Sequence, residues 1–145
     1  MISNHPPHFA IIGAGTAGLA TAILLARQNI QVSILEKASE LEPVGAGLLL
    51  QPSGLAVFEH LGLLDEVLRL GAKVTGLKGQ LPSGNLLVNS HYQQAHPDFY
   101  GVGIHRATLC HVLENKCREY SELITWQMNT DIQTLEETSD QVRVL

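Results

Sequence analysis

The stretch FAIIGAGTAGLATAILLARQNIQVSILEK, residues 9–37, decides how this chain is to be read. Its first four residues, Phe9, Ala10, Ile11 and Ile12, form an apolar run that predicts a short strand buried on both faces. The run enters Gly13, Gly15 and Gly18, spaced G-x-G-x-x-G. Over residues 16–28, Leu19, Ala22, Ile23 and Ala26 recur at intervals of three and four, which puts them on one helical face. Residues 30–35 predict a second strand, and Glu36 stands at its tip. Strand, glycine turn, helix, parallel strand and terminal acid follow one another in that order.

A dinucleotide would give each of these residues a task. Gly13 permits the tight turn out of the strand, Gly15 lets the backbone approach a pyrophosphate, and Gly18 lets the helix pack close to the strand. Free N–H groups at the helix start, with Thr16 and Ala17 among them, would meet the pyrophosphate where the macrodipole favours negative charge. Glu36 lies 23 residues beyond Gly13, where an acid accepts hydrogen bonds from the adenosine ribose. A 2′-phosphate beside that carboxylate would be repelled, which disfavours NADP at this site. Asn29 replaces the usual helix-ending glycine and is the next-best residue for the left-handed conformation required there.

The remaining composition bounds the function more loosely. The chain has 145 residues, 45% of them hydrophobic, enough for one domain with a sizeable core. A formal net charge of −5 and a pI near 5.7 argue against a nucleic-acid surface or a basic membrane patch. The start, MISNHPPH, has neither the charge nor the apolar run of a secretory signal, and no apolar run is long enough to span a bilayer. Two cysteines without metal or redox spacing fit a reducing compartment. The expectation is a soluble, cytoplasmic protein. His5 and His8 could clip a metal, but a Pro-rich tail without a Cys or acid nearby favours simple solvation.

Further along, residues 38–43 read as an acidic, irregular connection to Gly45 and Gly47, which read either as an ordinary loop or as backbone that must pass close to a flat ligand. Pro52 is placed to start a helix carrying Leu55, Phe58, Leu61 and Leu63 or Leu64, and Asp65 is a candidate N-cap for a second helix over residues 66–70. Residues 74–81 and 86–89 flank the turn Pro82-Ser83-Gly84-Asn85 and predict an antiparallel hairpin. Residues 91–100 read as a polar loop. A helix over residues 107–120 places Leu109, Val112 and Leu113 on one face, with Cys110 and Cys117 as small core residues beside them. Residues 123–127 predict a strand returning to the parallel sheet, with Trp126 in the core. Residues 131–137 and 142–145 predict an antiparallel pair turning at Thr138-Ser139-Asp140.

Three blocks together resemble the FAD-dependent aromatic hydroxylases, the single-component flavoprotein monooxygenases that include salicylate-hydroxylase-like enzymes. They are GAGTAGLATAILLARQNIQVSILEK, GAGLLLQPSGLAVFEHLGLLDEV and GIHRATLCHVL, spread over residues 9–127. The resemblance implies an α/β fold: a Rossmann-like FAD-binding βαβ unit, residues 9–37, with an inserted antiparallel hairpin layer, residues 74–89, on the substrate side. It implies that Gly13, Gly15, Thr16, Ala17 and Gly18 hold the FAD pyrophosphate and Glu36 the ribose. Gly47 and Gln51 would then lie by the flavin, and Arg106 would contact the phosphate and ribityl region. Lys37 stands where the family commonly has Arg, and Ser53 where it has Asn. The implied chemistry is reduction of FAD by NADH or NADPH, then transfer of one oxygen to a small aromatic substrate through a flavin hydroperoxide.

The family's second flavin motif, built around Gly-Asp, has no counterpart here. The resemblance therefore implies an N-terminal portion, residues 1–145, incomplete at its C-terminus and not expected to hydroxylate anything alone. A non-catalytic dinucleotide-binding module is the alternative from another class, and an NAD-binding dehydrogenase domain a third. No catalytic acid or base is identified from the residues.

Overall fold

The computed structural model describes residues 7–41, 45–139 and 141–145. In chain order these form β1 (His8–Ile12), α1 (Thr16–Ala26), β2 (Gln31–Leu35), β3 (Gly47–Leu50), α2 (Pro52–His60), α3 (Leu64–Leu70), β4 (Ala72–Val74) and β5 (Gly76–Gln80). There follow β6 (Leu86–His91), a 3-10 turn (Tyr92–Gln94), β7 (Gly101–His105), α4 (Arg106–Arg118), β8 (Ile124–Gln127), β9 (Leu135–Glu137) and β10 (Val142–Val144). The fold is mixed α/β. Its residues cluster into two units, one within Met1–Glu42 and Leu113–Leu145, the other within Pro43–Val112.

The first unit is built on a parallel sheet in the order β1-β2-β8. Phe9 faces Val32 across the first pair, and Ile34 faces Trp126 across the second. Helix α1 packs on β1 and β2, and the four residues at three–four spacing, Leu19, Ala22, Ile23 and Ala26, are all buried. Val32, Ile34 and Ile124 complete this core from the sheet, where β-branched side chains suit the pleated surface. The Cys117 thiol, also buried, donates to the Leu19 carbonyl at 3.5 Å. Helix α1 ends two residues earlier than its sequence pattern suggests, and Asn29 closes it at φ 60°, its N–H bonded to the Ala26 carbonyl at 2.9 Å.

Two expectations for this unit need correction. Strand β1 is not buried on both faces: Phe9 is 45% and Ile12 53% exposed. Among the described residues β1 is an edge of the sheet, and one helix cannot cover alternate residues of an edge strand. Trp126 is half-buried rather than core, with the Arg118 guanidinium 5.5 Å from its ring. The antiparallel pair β9–β10 forms as expected but over fewer residues, and Asp140 of its turn lies outside the described residues.

The second unit carries an antiparallel sheet ordered β3-β7-β4, on which α2 and α3 pack. Pro52 occupies the start of α2, and Leu55, Phe58, Leu61 and Leu63 are buried along the expected stripe. Asp65 is not the N-cap of α3; Leu63 is, and Asp65 sits in the first turn, where an acid still favours the dipole. Strand β7 is absent from the sequence reading, although Val102 and Ile104 alternate with glycines at the period of a strand. The hairpin forms from β5 and β6, with Val74 instead paired to Gly101 in the other sheet. Every residue of β6 is exposed. Among the described residues, no helix is long and apolar enough to cross a membrane.

Candidate cofactor-binding site

Parallel pairing of β1 with β2 sets the glycine turn beside Glu36. Gly13 donates to the Leu35 carbonyl at 2.8 Å and adopts φ +96°, a conformation that disfavours any side chain. A Cβ at Gly18 would overlap the Gly13 carbonyl oxygen and stand 3.1 Å from Ile11 Cγ2, so this glycine sets how closely α1 approaches β1. Gly15 differs. Its backbone (φ −74°, ψ 177°) suits any residue, and a Cβ there would meet nothing within 4 Å. The space before it is open, as a cradle for a bulky group requires. Helix α1 has no side-chain cap and no acid in its first turn. The N–H groups of Thr16, Ala17 and Gly18 therefore have no intrahelical acceptor and stand at the positive end of the dipole.

The Glu36 carboxylate is held by two backbone donors. Ala14 N–H reaches Oε2 at 2.7 Å and Ala38 N–H reaches Oε1 at 2.9 Å. These bonds, Ala38 first, hold its pKa below the ordinary carboxylate value, with the Lys37 charge adding to the effect. The group is ionised at neutral pH, and each oxygen keeps a lone pair for another donor. The backbone beyond β8 closes over the same corner: Thr130 donates to the Glu36 carbonyl at 2.8 Å and Asn129 to that of Ala38 at 2.9 Å. Free donors, open space and a fixed anion fit the pyrophosphate and ribose of a dinucleotide. Lys37 is exposed beside them.

In the second unit, Gly47 lies in β3 opposite His105, and a Cβ on it would be 4.0 Å from the nearest atom, the Ile104 carbonyl oxygen. Gly45 has a different role from the one its sequence suggests. At φ +135° it packs against the Arg106 stem, and a Cβ would stand 3.1 Å from Arg106 Cδ and 3.3 Å from its Cβ. Its missing side chain makes room for an arginine rather than directly for a ligand. The Arg106 N–H bonds the Ala46 carbonyl at 3.3 Å. Among the described residues no carboxylate lies within ion-pair distance of this exposed guanidinium. Gln51 ends the strand and accepts a 2.7 Å hydrogen bond on Oε1 from the Tyr92 hydroxyl. Sequence reasoning missed Tyr92, 41 residues away in what reads as a polar loop.

Other candidates lead elsewhere. His8 Nε2 lies 2.9 Å from Ser33 Oγ, which in turn lies 2.9 Å from Thr125 Oγ1. His5 is outside the described residues, and among those described no cluster of His, Cys, Asp or Glu could hold a metal. Neither cysteine forms a disulfide, and Cys110 is half-buried rather than core; burial, then the Glu114 charge, pushes the Cys117 thiol up to about 12, the opposite of an activated nucleophile. A hollow of about 380 Å³ in the first unit is lined by Ser39, Glu40, Leu41, Glu114, Arg118, Trp126 and Met128. Neither the glycine turn nor Glu36 contributes to its walls.

Comparison with known proteins gives this geometry a context. The chain is 32% identical to the 3-hydroxybenzoate 6-hydroxylase of Klebsiella oxytoca over 139 residues, covering 92% of this chain and 34% of that protein. Among solved structures, Pseudomonas aeruginosa PqsL in complex with 2-aminobenzoylacetate is similar at a TM-score of 0.82 and 28% identity, over 97% of this chain and 39% of that one. The p-nitrophenol 4-monooxygenase PnpA of Pseudomonas putida DLL-E4 shares the fold at a TM-score of 0.85 and 19% identity, over 96% of this chain and 35% of that one. The chain thus spans little more than a third of the length of these relatives. Residues 8–144 match the FAD binding domain model, and the chain belongs to that family.

Proposed function

We propose that this chain is the FAD-holding portion of a flavin monooxygenase that hydroxylates a small aromatic substrate, with NADH or NADPH as reductant. The observation that carries the reading is the Gly13–Gly18 turn set beside an ionised, doubly anchored Glu36. Gly13, its own N–H held by Leu35, makes the turn, and Gly15, Thr16, Ala17 and Gly18 receive the pyrophosphate on backbone N–H groups, in a Rossmann-like βαβ unit over residues 9–37. Glu36 accepts the ribose hydroxyls with the lone pairs that Ala14 and Ala38 leave. Lys37 adds positive charge near the nucleotide. Gly47 and Gln51 attend the flavin, and Arg106, with no carboxylate among the described residues within ion-pair distance, attends phosphate or ribityl oxygens.

When bound, FAD supplies the redox chemistry, taking a hydride from the reductant and passing one oxygen atom of O₂ to the substrate. The chain's own residues bind and orient the cofactor. The aromatic class is supported by relatives named for hydroxybenzoate and found with 2-aminobenzoylacetate. The hairpin over residues 74–89 is assigned to the substrate side, and two cysteines outside any disulfide suit a cytoplasmic setting. The test is the colour of the purified full chain after desalting. A retained yellow chromophore with the spectrum of bound FAD supports the reading. Colourless protein that binds ADP as tightly as FAD overturns its flavin part.

A further inference from the structure

Resting on the assignment of Gln51 to the cofactor, we propose that Tyr92 is a positioning residue that fixes which end of the Gln51 amide faces the ligand. Gln51 is the N-cap residue of α2, with extended backbone (φ −81°, ψ 165°), yet its side chain caps nothing. The following residue, Pro52, has no N–H to offer it. Instead the amide oxygen is taken by the Tyr92 hydroxyl at 2.7 Å.

Tyr92 is itself firmly seated. It opens the 3-10 turn, its N–H bonds the Thr75 carbonyl at 3.0 Å, and the Gln94 side chain accepts the His91 N–H at 3.0 Å to close the turn. The phenol hydroxyl lies over Gly101, where a Cβ would stand 2.8 Å from it. Gly101 is thus the space into which the tyrosine fits. With Oε1 turned to the Tyr92 hydroxyl, the exposed Gln51 amide directs the two N–H donors of Nε2 to its other side, and Oε1 keeps one lone pair on the tyrosine side. The group it takes is therefore an acceptor, a carbonyl oxygen or ring nitrogen such as a flavin ring carries. Without the tyrosine the amide turns freely and presents either end.

The experiment is a titration of the full chain with FAD, followed by flavin fluorescence and by the visible spectrum of the bound form. Tyr92→Phe, Gln51→Ala, the double variant and Gln51→Glu are compared with wild type. Tyr92→Phe should weaken binding about three- to tenfold, the range of one neutral hydrogen bond, and that loss should vanish in the Gln51→Ala background. Gln51→Glu still accepts the Tyr92 hydroxyl but has no N–H. It should keep the urea midpoint of the apoprotein while losing FAD affinity and shifting the bound-flavin spectrum. Unchanged affinity in Tyr92→Phe or Gln51→Glu, or an equal loss from Tyr92→Phe with and without Gln51, overturns the inference and leaves the FAD reading intact. Wild-type chain that binds no FAD overturns the FAD reading, and this inference with it.

Discussion

Gly15 and Gly18 stand three residues apart in one turn, yet the structure predicts opposite consequences for replacing each by alanine. At Gly18 helix propensity alone favours alanine by up to about 1 kcal/mol. Against that, the new Cβ would overlap the Gly13 carbonyl oxygen and press Ile11 Cγ2 at 3.1 Å. The carbonyl is backbone in a turn already fixed by the Gly13–Leu35 hydrogen bond, so it cannot rotate away as a side chain would. Helix α1 must then lift off β1, at an overpacking cost of about 1–3 kcal/mol. The clash wins, and Gly18→Ala should lose about 1–2 kcal/mol net, a fall in urea midpoint of about 0.5–1 M. At Gly15 the backbone is permissive and the Cβ meets nothing. Stability there should change only by the weaker N-capping of alanine, about 1 kcal/mol at most, while FAD affinity falls about tenfold or more because the methyl occupies the pyrophosphate's approach. Urea denaturation followed by far-UV circular dichroism and an FAD titration read the two effects separately. Gly18→Ala protein as stable as wild type would refute the claim that this glycine sets the helix–strand distance.

The Glu36 pKa is lowered by the Ala38 and Ala14 N–H groups, so its stabilisation is present above the unfolded-state value of 4.5 and is lost as pH falls through the lower folded value. Urea midpoints measured from about pH 6 to pH 3 should therefore drop on the acid side, and Glu36→Gln should flatten that drop. Gly45→Ala forces a side chain into φ +135° and against the Arg106 stem, and should cost about 1–3 kcal/mol of stability; a variant with a wild-type urea midpoint would contradict this. Cys117 is held as a thiol by burial, its pKa raised from 9.0 to about 12. A neutral-pH thiol reagent should modify it only as fast as the chain unfolds, and stability should decline above about pH 9 as unfolded thiols ionise first. Labelling at the rate of an exposed cysteine would contradict that burial.

The parallel unit was legible because its signals are local. Leu19, Ala22, Ile23 and Ala26 share a face through spacing alone, and all four are buried. Asn29 occupies the left-handed position that its residue type suggests. What escaped is non-local. Whether Phe9 and Ile12 are covered depends on how many neighbours β1 has, which no four-residue window contains. Strand β7 was hidden by glycines at positions 101 and 103, which lower strand propensity although Val102 and Ile104 keep the alternation. Gly45 suggested a ligand's approach because a sequence cannot show that an arginine 61 residues later fills the space. The Tyr92–Gln51 bond joins a loop to a helix start across 41 residues and leaves no periodic trace.

The most direct test of the central claim is calorimetric titration of the full chain with FAD, beside the Glu36→Gln variant. Glutamine offers one acceptor oxygen where the carboxylate offers two, and it places an N–H against either Ala14 or Ala38. Wild type should bind FAD at one site, and the variant should bind at least about tenfold more weakly, the equivalent of about 1.4 kcal/mol. Equal affinity in the two proteins, or no binding by wild type, would contradict the assignment of this turn and its acid to the adenosine half of FAD.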